Sequence, residues 1–422
     1  MSYDFSQFGN HLGSGSGIED LMEDLGQALA HAGPDIKMLG GGQPANIPEV
    51  NAVWRRRIEE IIAEAGGLDR AMTAYDPPRG NPRFIKAIAA MFREHCGWDI
   101  GPENVAVTCG GQTAFFFLFN LLAGVMADGS RKKILLPLVP EYIGYANQGV
   151  AGDHFRAVPP VIEKSGPHEF KYRVDFGKLE ITPDIAAICA SRPTNPTGNV
   201  LTDDEVKHLS DLAKENGIPL ILDNAYGLPV PGIIFPEDAK PFWEPHVILT
   251  YSLSKIGLPG TRTGIVVGPP EIIRALASMS AIVGLANPGI GQQIVLPLLE
   301  SGELLRLSRD AVRPFYEKKC ALARAAAKDA FGDDCKWFMH RSEGALFLWF
   351  WFPDLPITTR ELYERLKKRG VLIVPGEFFF FGDEQKEWRH RDECIRVSYA
   401  MDEGVVRDGI RIIAEEVKKA FG

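Results

Sequence analysis

Between Asn104 and Gly268 the chain alternates short apolar runs with helical stretches, and this alternation constrains its fold more than any other feature. The runs are Val105–Thr108, Lys133–Pro137, Ile185–Cys189, Leu220–Asp223, Val247–Thr250 and Gly264–Val267. Such strands, joined by helices, predict a mostly parallel (mixed) sheet covered by helices on both faces, an α/β fold. The best-marked helix opens at Thr202, where Thr202 and Glu205 fit a capping box, and closes at Asn216-Gly217 with Pro219 just beyond. A sheet of this kind binds ligands at the carboxyl ends of its strands.

From about Ser301 the pattern changes. Long helical runs precede the very apolar Ala345–Phe352, a second capping box at Thr358 and Glu361, and expected strands Val371–Val374 and Cys394–Tyr399. This predicts a smaller α/β unit, so that residues 48–300 form a large unit and residues 1–47 with 301–422 form an N-terminal arm and a small unit. The four consecutive phenylalanines Phe378–Phe381 either fill the core of the small unit or line a pocket, and the core is the favoured reading.

Composition narrows the function. Forty-six Lys and Arg against 55 Asp and Glu leave a formal net charge of −9, with no basic stripe to bind nucleic acid. Six scattered cysteines form no CxxC and no Cys/His cluster, so no metal is expected, and reduced thiols in a cytoplasmic protein are. The N-terminus MSYDFSQFGNHLGSG lacks the charged-then-apolar pattern of a signal peptide, and Ala114–Ala127 is too short to span a membrane. Glycine is the one outlier, 43 of 422 residues, above the usual ~7%.

Several stretches at strand ends carry chemistry. Gly110-Gly111-Gln112 follows the first strand and opens an apolar helix, where backbone N–H groups converge on an anion; alone, the stretch reads first as a tight turn. The strand Leu220–Asp223 delivers Asp223 and Tyr226 to the ligand edge, although an acid there also serves as an ordinary helix cap. In Ser191-Arg192-Pro193-Thr194-Asn195-Pro196, two prolines fix an unusual backbone path directly after a buried strand. The strongest stretch is Tyr251-Ser252-Leu253-Ser254-Lys255-Ile256-Gly257-Leu258-Pro259-Gly260-Thr261-Arg262. A lysine held in a crevice beside another cation loses its proton and becomes a nucleophile. Ser252 and Arg262 together suit a phosphate. These features converge on an aldehyde cofactor with a phosphate tail, bound to Lys255 as a Schiff base.

In order along the chain, LGGGQP, AYDPPRGNPRF, TCGGQTAFF, PEYIGY, SRPTNPTGN, LDNAYG, SLSKIGLPGTRTG and IRVSYA resemble the fold type I aminotransferases that use pyridoxal 5′-phosphate. The resemblance implies roles. Lys255 bonds the cofactor and moves the substrate proton; Asp223 pairs with the ring nitrogen; Asn195 and Tyr226 bond the phenolic oxygen; Tyr142 stacks on the ring. Gly110, Gly111, Gln112, Ser252 and Arg262 hold the phosphate, and Tyr75 reaches the phosphate of a neighbouring subunit, which implies a homodimer with shared sites. Arg396 grips the substrate α-carboxylate, with Asn195 and the close backbone approach at Gly42 completing the substrate site.

The texture of PEYIGYA, NAYGLPVPGIIF and SLSKIGLPGTRTG resembles most the valine–pyruvate branch of that family, which implies ping-pong exchange between L-valine and pyruvate to give 3-methyl-2-oxobutanoate and L-alanine. The segment Ser280–Gly289 contains no basic residue, in keeping with small or branched apolar substrates rather than dicarboxylates. Rival expectations are a broad-range aminotransferase, a C–S or other elimination lyase, or a cyclopropane-forming synthase on the same scaffold, and a non-catalytic sensor domain. A dinucleotide site on Gly40-Gly41-Gly42 is disfavoured, because the spacing is not GxGxxG after a strand.

Overall fold

The computed structural model describes residues 36–333, 335–382 and 388–422, together with 3–13 and positions 15, 19, 23, 24 and 26; much of the expected arm between 14 and 35 lies outside them. Five strands run parallel in the order Val247–Ser252, Leu220–Asp223, Ile185–Ser191, Arg131–Leu136 and Phe155–Ala157. At one side Thr263–Val267 pairs antiparallel with Val247–Ser252 and with Val105–Cys109; at the other the short strand Gly124–Val125 pairs antiparallel with Arg131–Leu136. The result is an eight-stranded mixed sheet. All six expected strands are present, with ends shifted by two residues or fewer.

The strand interiors are buried because both faces are covered, which is why they read as continuous apolar runs. The helix Gly110–Leu122 packs Phe115, Phe117, Leu118 and Phe119 inward. The helix Asp203–Glu215 starts at the expected capping box: Thr202 Oγ1 accepts from Glu205 N (3.1 Å) and Glu205 Oε2 from Thr202 N (2.9 Å). Two N–H groups at that helix start are thereby satisfied. Among described residues no helix is long and apolar enough to cross a membrane.

A second, six-stranded sheet runs in the order Val374–Pro375, Cys394–Ser398, Phe347–Trp351, Phe338–His340, Glu169–Arg173 and Val161–Lys164. The apolar run Ala345–Phe352 is its inner strand, with Phe347, Leu348, Trp349 and Phe350 fully buried. The hairpin Val161–Arg173, counted with residues 48–300 in the sequence reading, joins this sheet instead, through the parallel pairing of Met339 with Glu169. The expected strand Val371–Val374 is split in two: Val371–Leu372 pairs with Lys37–Met38, and Val374–Pro375 with Cys394–Ser398. This split brings the Leu39–Gly42 segment alongside Cys394–Ser398, with Ser398 N donating to Leu39 O (2.7 Å).

The parallel strands end in one row, Ser191 beside Asp223 beside Thr250, and the antiparallel Thr263 lies beside Cys109. Packing at that edge is tight. A Cβ on Gly264 would lie 2.6 Å from the carbonyl carbon of Gly110 and from Thr108 Oγ1, whereas one on Gly111 would meet nothing within 4 Å. Gly264→Ala is therefore expected to destabilise the protein by about 1–3 kcal/mol, and Gly111→Ala to leave stability within about 0.5 kcal/mol. Denaturant unfolding of the two variants checks this difference.

Candidate active site

At the carboxyl end of the large sheet a cavity of about 290 Å³ is lined by Gly42, Tyr142, Asn195, Asp223, Tyr226, Lys255 and Arg396, together with Gly111, Gln112, Ser252 and Arg262. Residues spread over more than 350 sequence positions meet there because the strand ends converge and the Gly40–Gln43 segment crosses the mouth.

Lys255 lies in the helical turn Leu253–Ile256, which Ser252 starts by accepting from Ser254 N (3.2 Å). The turn is anchored from outside by Trp54, whose indole Nε1 donates to Ile256 O (3.2 Å). Lys255 Nζ donates to Gly42 O (2.7 Å) and lies 5.3 Å from the centre of the Tyr226 ring. Burial first, and then the Arg396 and Arg262 guanidinium groups, lower its pKa to about 8 against the opposing pull of Asp223. The chemistry is that of an amine poised to lose its proton near neutrality.

Asp223 is the buried acid of the cavity. Tyr145 Oη donates to its Oδ2 (2.5 Å), while Ala225 N (2.8 Å) and Thr250 Oγ1 (3.2 Å) donate to Oδ1. Burial raises its pKa, and these three donors with Lys255 act in the opposite direction. A carboxylate so restrained can meet a cationic ring nitrogen. Tyr226 is buried, with its phenol pKa raised by burial. Tyr142 presents its ring to the cavity, set edge-to-face on Tyr145 at 5.3 Å.

The anion cradle is built from backbone geometry. Gly110 has φ +81°, a conformation that calls for glycine, and a Cβ there would lie 2.2 Å from Arg262 NH2 and push that guanidinium aside. The free N–H groups of Gly110, Gly111 and Gln112 open the helix Gly110–Leu122, beside Arg262 and Ser252. The Gln112 side chain is otherwise occupied: its Nε2 donates to Gly144 O (2.7 Å), tying the cradle to the Tyr142 turn. At the opposite side Arg396 NH1 donates to Asn195 Oδ1 and NH2 to Gly40 O, both at 2.8 Å, while its buried Nε has no partner. Burial lowers the Arg396 pKa to about 10. The donor set fits a small ring bearing a phosphate at one end and a carboxylate-bearing partner at the other.

Eleven of the thirteen residues singled out in the sequence line this cavity; Gly110 lies behind it against Arg262, and Tyr75 lies elsewhere. Tyr75 is 82% exposed and, with Met72, Val283 and Ala286, lines a separate depression of about 620 Å³. The Ser280–Gly289 segment lies there too, with Ile282 and Leu285 exposed, and it takes no part in lining this chain's own cavity. Two buried groups escaped the sequence reading. Tyr145 was visible only as a second tyrosine three residues after Tyr142. Glu141 accepts from Ser191 N (2.8 Å), Tyr142 N (3.1 Å) and Ser191 Oγ, and burial pushes its carboxyl up to about 7. Among described residues no group of His, Cys, Asp and Glu is arranged to hold a metal.

Labelling of Lys255 in the cofactor-free protein with an amine-selective reagent, read by peptide mass spectrometry, is expected to rise with pH about a midpoint near 8. The sign follows from the lowered pKa, since only the neutral amine reacts; a midpoint at the ordinary 10.5 contradicts the electrostatic account.

Comparison with known proteins agrees with this geometry. The family model for class I and II aminotransferases matches residues 42–413. The valine–pyruvate aminotransferase of Escherichia coli K12 is 46% identical over 417 residues, covering 99% of each chain, and the aspartate/prephenate aminotransferase of Thermus thermophilus is 28% identical over 407 residues, covering 93% of this chain and 94% of that protein. The crystal structure of the valine-pyruvate aminotransferase of Salmonella typhimurium LT2 superposes with a TM-score of 0.87 at 45% identity, covering 96% of this chain and 99% of that one. The chain belongs to the class I and II aminotransferases.

Proposed function

We propose that this protein is a pyridoxal 5′-phosphate-dependent transaminase that exchanges the amino group of L-valine with the keto group of pyruvate, giving 3-methyl-2-oxobutanoate and L-alanine. The observation that carries the reading is the meeting of the Lys255 amine, the Asp223 carboxylate and the Arg396 guanidinium in one cavity. The choice of valine and pyruvate follows the 46% identical relative named for that activity.

Each residue has a physical task in this reading. The N–H groups of Gly110, Gly111 and Gln112, with Ser252 and Arg262, would hold the phosphate. Asp223, kept in place by Tyr145, Thr250 and Ala225, would face the ring nitrogen; Asn195 and Tyr226 would donate to the phenolic oxygen; Tyr142 would cover the ring. When bound, the cofactor supplies an electron sink for the pair left as the substrate Cα–H bond breaks. Lys255 Nζ, the cavity amine whose pKa is lowered to about 8, would take the Cα proton of the amino acid and, in the return half-reaction, deliver a proton to the Cα of the incoming 2-oxo acid. Arg396 turns the substrate by its α-carboxylate so that this proton faces Lys255, and a planar fork does so better than a point charge.

The proposed assembly is a homodimer in which Tyr75 serves the partner's site. Its support is the apolar, exposed character of Tyr75, Met72, Ile282, Val283 and Leu285. The proposed division is a large unit of residues 48–300, apart from the hairpin Val161–Arg173 that joins the second sheet, and a small unit of 1–47 with 301–422; the proposed setting is the cytoplasm, in keeping with six cysteines, none of them in a disulfide.

Lys255→Ala is expected to abolish turnover and to replace the visible band of the cofactor-loaded protein by that of the free aldehyde; a variant that keeps turnover contradicts the assignment. Sedimentation is expected to give twice the 46.5 kDa of one chain, and a monomer with full activity contradicts the shared site.

A further inference from the structure

The four consecutive phenylalanines go four ways. Phe378 lies under Arg360 (5.2 Å), Phe380 packs on Trp349 and Trp388, and Phe381 sets its edge on Phe155 (5.3 Å). Phe379 alone of the run contacts Arg396: the guanidinium carbon lies 5.1 Å from its ring centre. The same carbon lies 4.2 Å from the ring centre of Phe347. A buried guanidinium that donates to an amide oxygen and a backbone carbonyl, rather than to a carboxylate, is thus also in contact with two rings. Arginine tolerates this because its planar cation is weakly hydrated and is attracted to ring faces.

Both rings are held by the fold. Arg396 pairs with Trp349 across the antiparallel strands and Phe347 with Ser398, so Phe347 is the diagonal neighbour of Arg396 on the sheet. Its ring is also set edge-to-face on Tyr226 at 6.2 Å. Phe379 ends the helical turn Gly376–Phe379, its carbonyl accepts from Glu141 N (2.9 Å), and its ring meets Trp349 edge-to-face at 5.7 Å. Both phenylalanines are fully buried.

We propose that Phe347 and Phe379 are positioning residues: they clamp the Arg396 guanidinium so that its N–H edge faces the cavity, and so set the affinity of the site for carboxylate-bearing substrates. The Nε–H of the same guanidinium is buried without a partner. The inference rests on the reading of Arg396 as the carboxylate grip given above, and it adds two residues from separate segments to the substrate machinery.

The test uses the cofactor-loaded protein and 3-methylbutanoate, the valine skeleton without its amino group, with binding measured by calorimetry. Phe347→Leu and Phe379→Leu are each expected to weaken binding by about 10-fold with the visible cofactor band unchanged, and Phe379→Tyr, which keeps a ring face, to stay within about 2-fold. Phe380→Leu removes a ring of similar burial that does not touch Arg396, and is expected to lower the melting temperature without changing carboxylate affinity. Leucine variants that fold and bind like the wild type overturn the clamp, as does a Phe380→Leu variant that weakens binding equally. Should Phe379→Leu fail to fold, Phe347→Leu decides. If Arg396→Lys binds 3-methylbutanoate as the wild type does, the carboxylate grip itself is refuted and the clamp falls with it, a result distinct from failure of the leucine variants alone.

Discussion

The gathering of three cations around one buried carboxylate is the constraint on which the rest of the site depends. Lys255, Arg262 and Arg396 all line a single cavity whose buried acid is Asp223. Their hydrogen bonds run to oxygens of Gly42, Pro259, Asn195 and Gly40, which carry no formal charge. The move of the Lys255 pKa from 10.5 to about 8 corresponds to roughly 3 kcal/mol in favour of the neutral amine. One cation of the three is thereby turned into a base, while the two guanidinium groups remain for anions. Phosphate at one end and carboxylate at the other answer that charge pattern, with the amine between them.

The surrounding fold serves to hold these like charges at fixed places. The parallel strands deliver Ser191, Asp223 and Thr250 in one row, and the bond from Thr250 to Asp223 spans neighbouring strands. Gly264 lets the strand Thr263–Val267 lie directly against the Gly110 backbone, and Gly110 in turn lies close against Arg262. The second sheet contributes Arg396 from its strand Cys394–Ser398, and the Gly40–Gly42 segment bonds to Arg396 and Lys255 alike. The two sheets thus meet at the charges that define the chemistry.

Much of this is legible in the sequence for a physical reason. Strands buried on both faces must be apolar throughout, so Leu220–Asp223 and Val247–Ser252 announce themselves, and the residues at their ends follow by position. The capping box at Thr202 and the glycines of the anion cradle are equally local. What stays hidden is whatever depends on distant partners. The hairpin Val161–Arg173 joins the second sheet through a pairing with residues some 170 positions later, which no local pattern encodes. Tyr145 reads as an ordinary core tyrosine until Asp223 is placed against it, and Phe347 and Phe379 look like plain core residues, which they also are. The Gln112 side chain misleads in the opposite sense, since it lies in the anion motif but spends its amide on Gly144.

The most direct test of the central claim is a half-reaction panel on the cofactor-loaded protein, followed by its visible absorbance and by analysis of the released product. The account predicts that L-valine and L-alanine each discharge the visible band and release the corresponding 2-oxo acid, while L-aspartate at the same concentration reacts far more slowly. Release of ammonia in place of amino transfer, or aspartate reacting faster than valine, would contradict it.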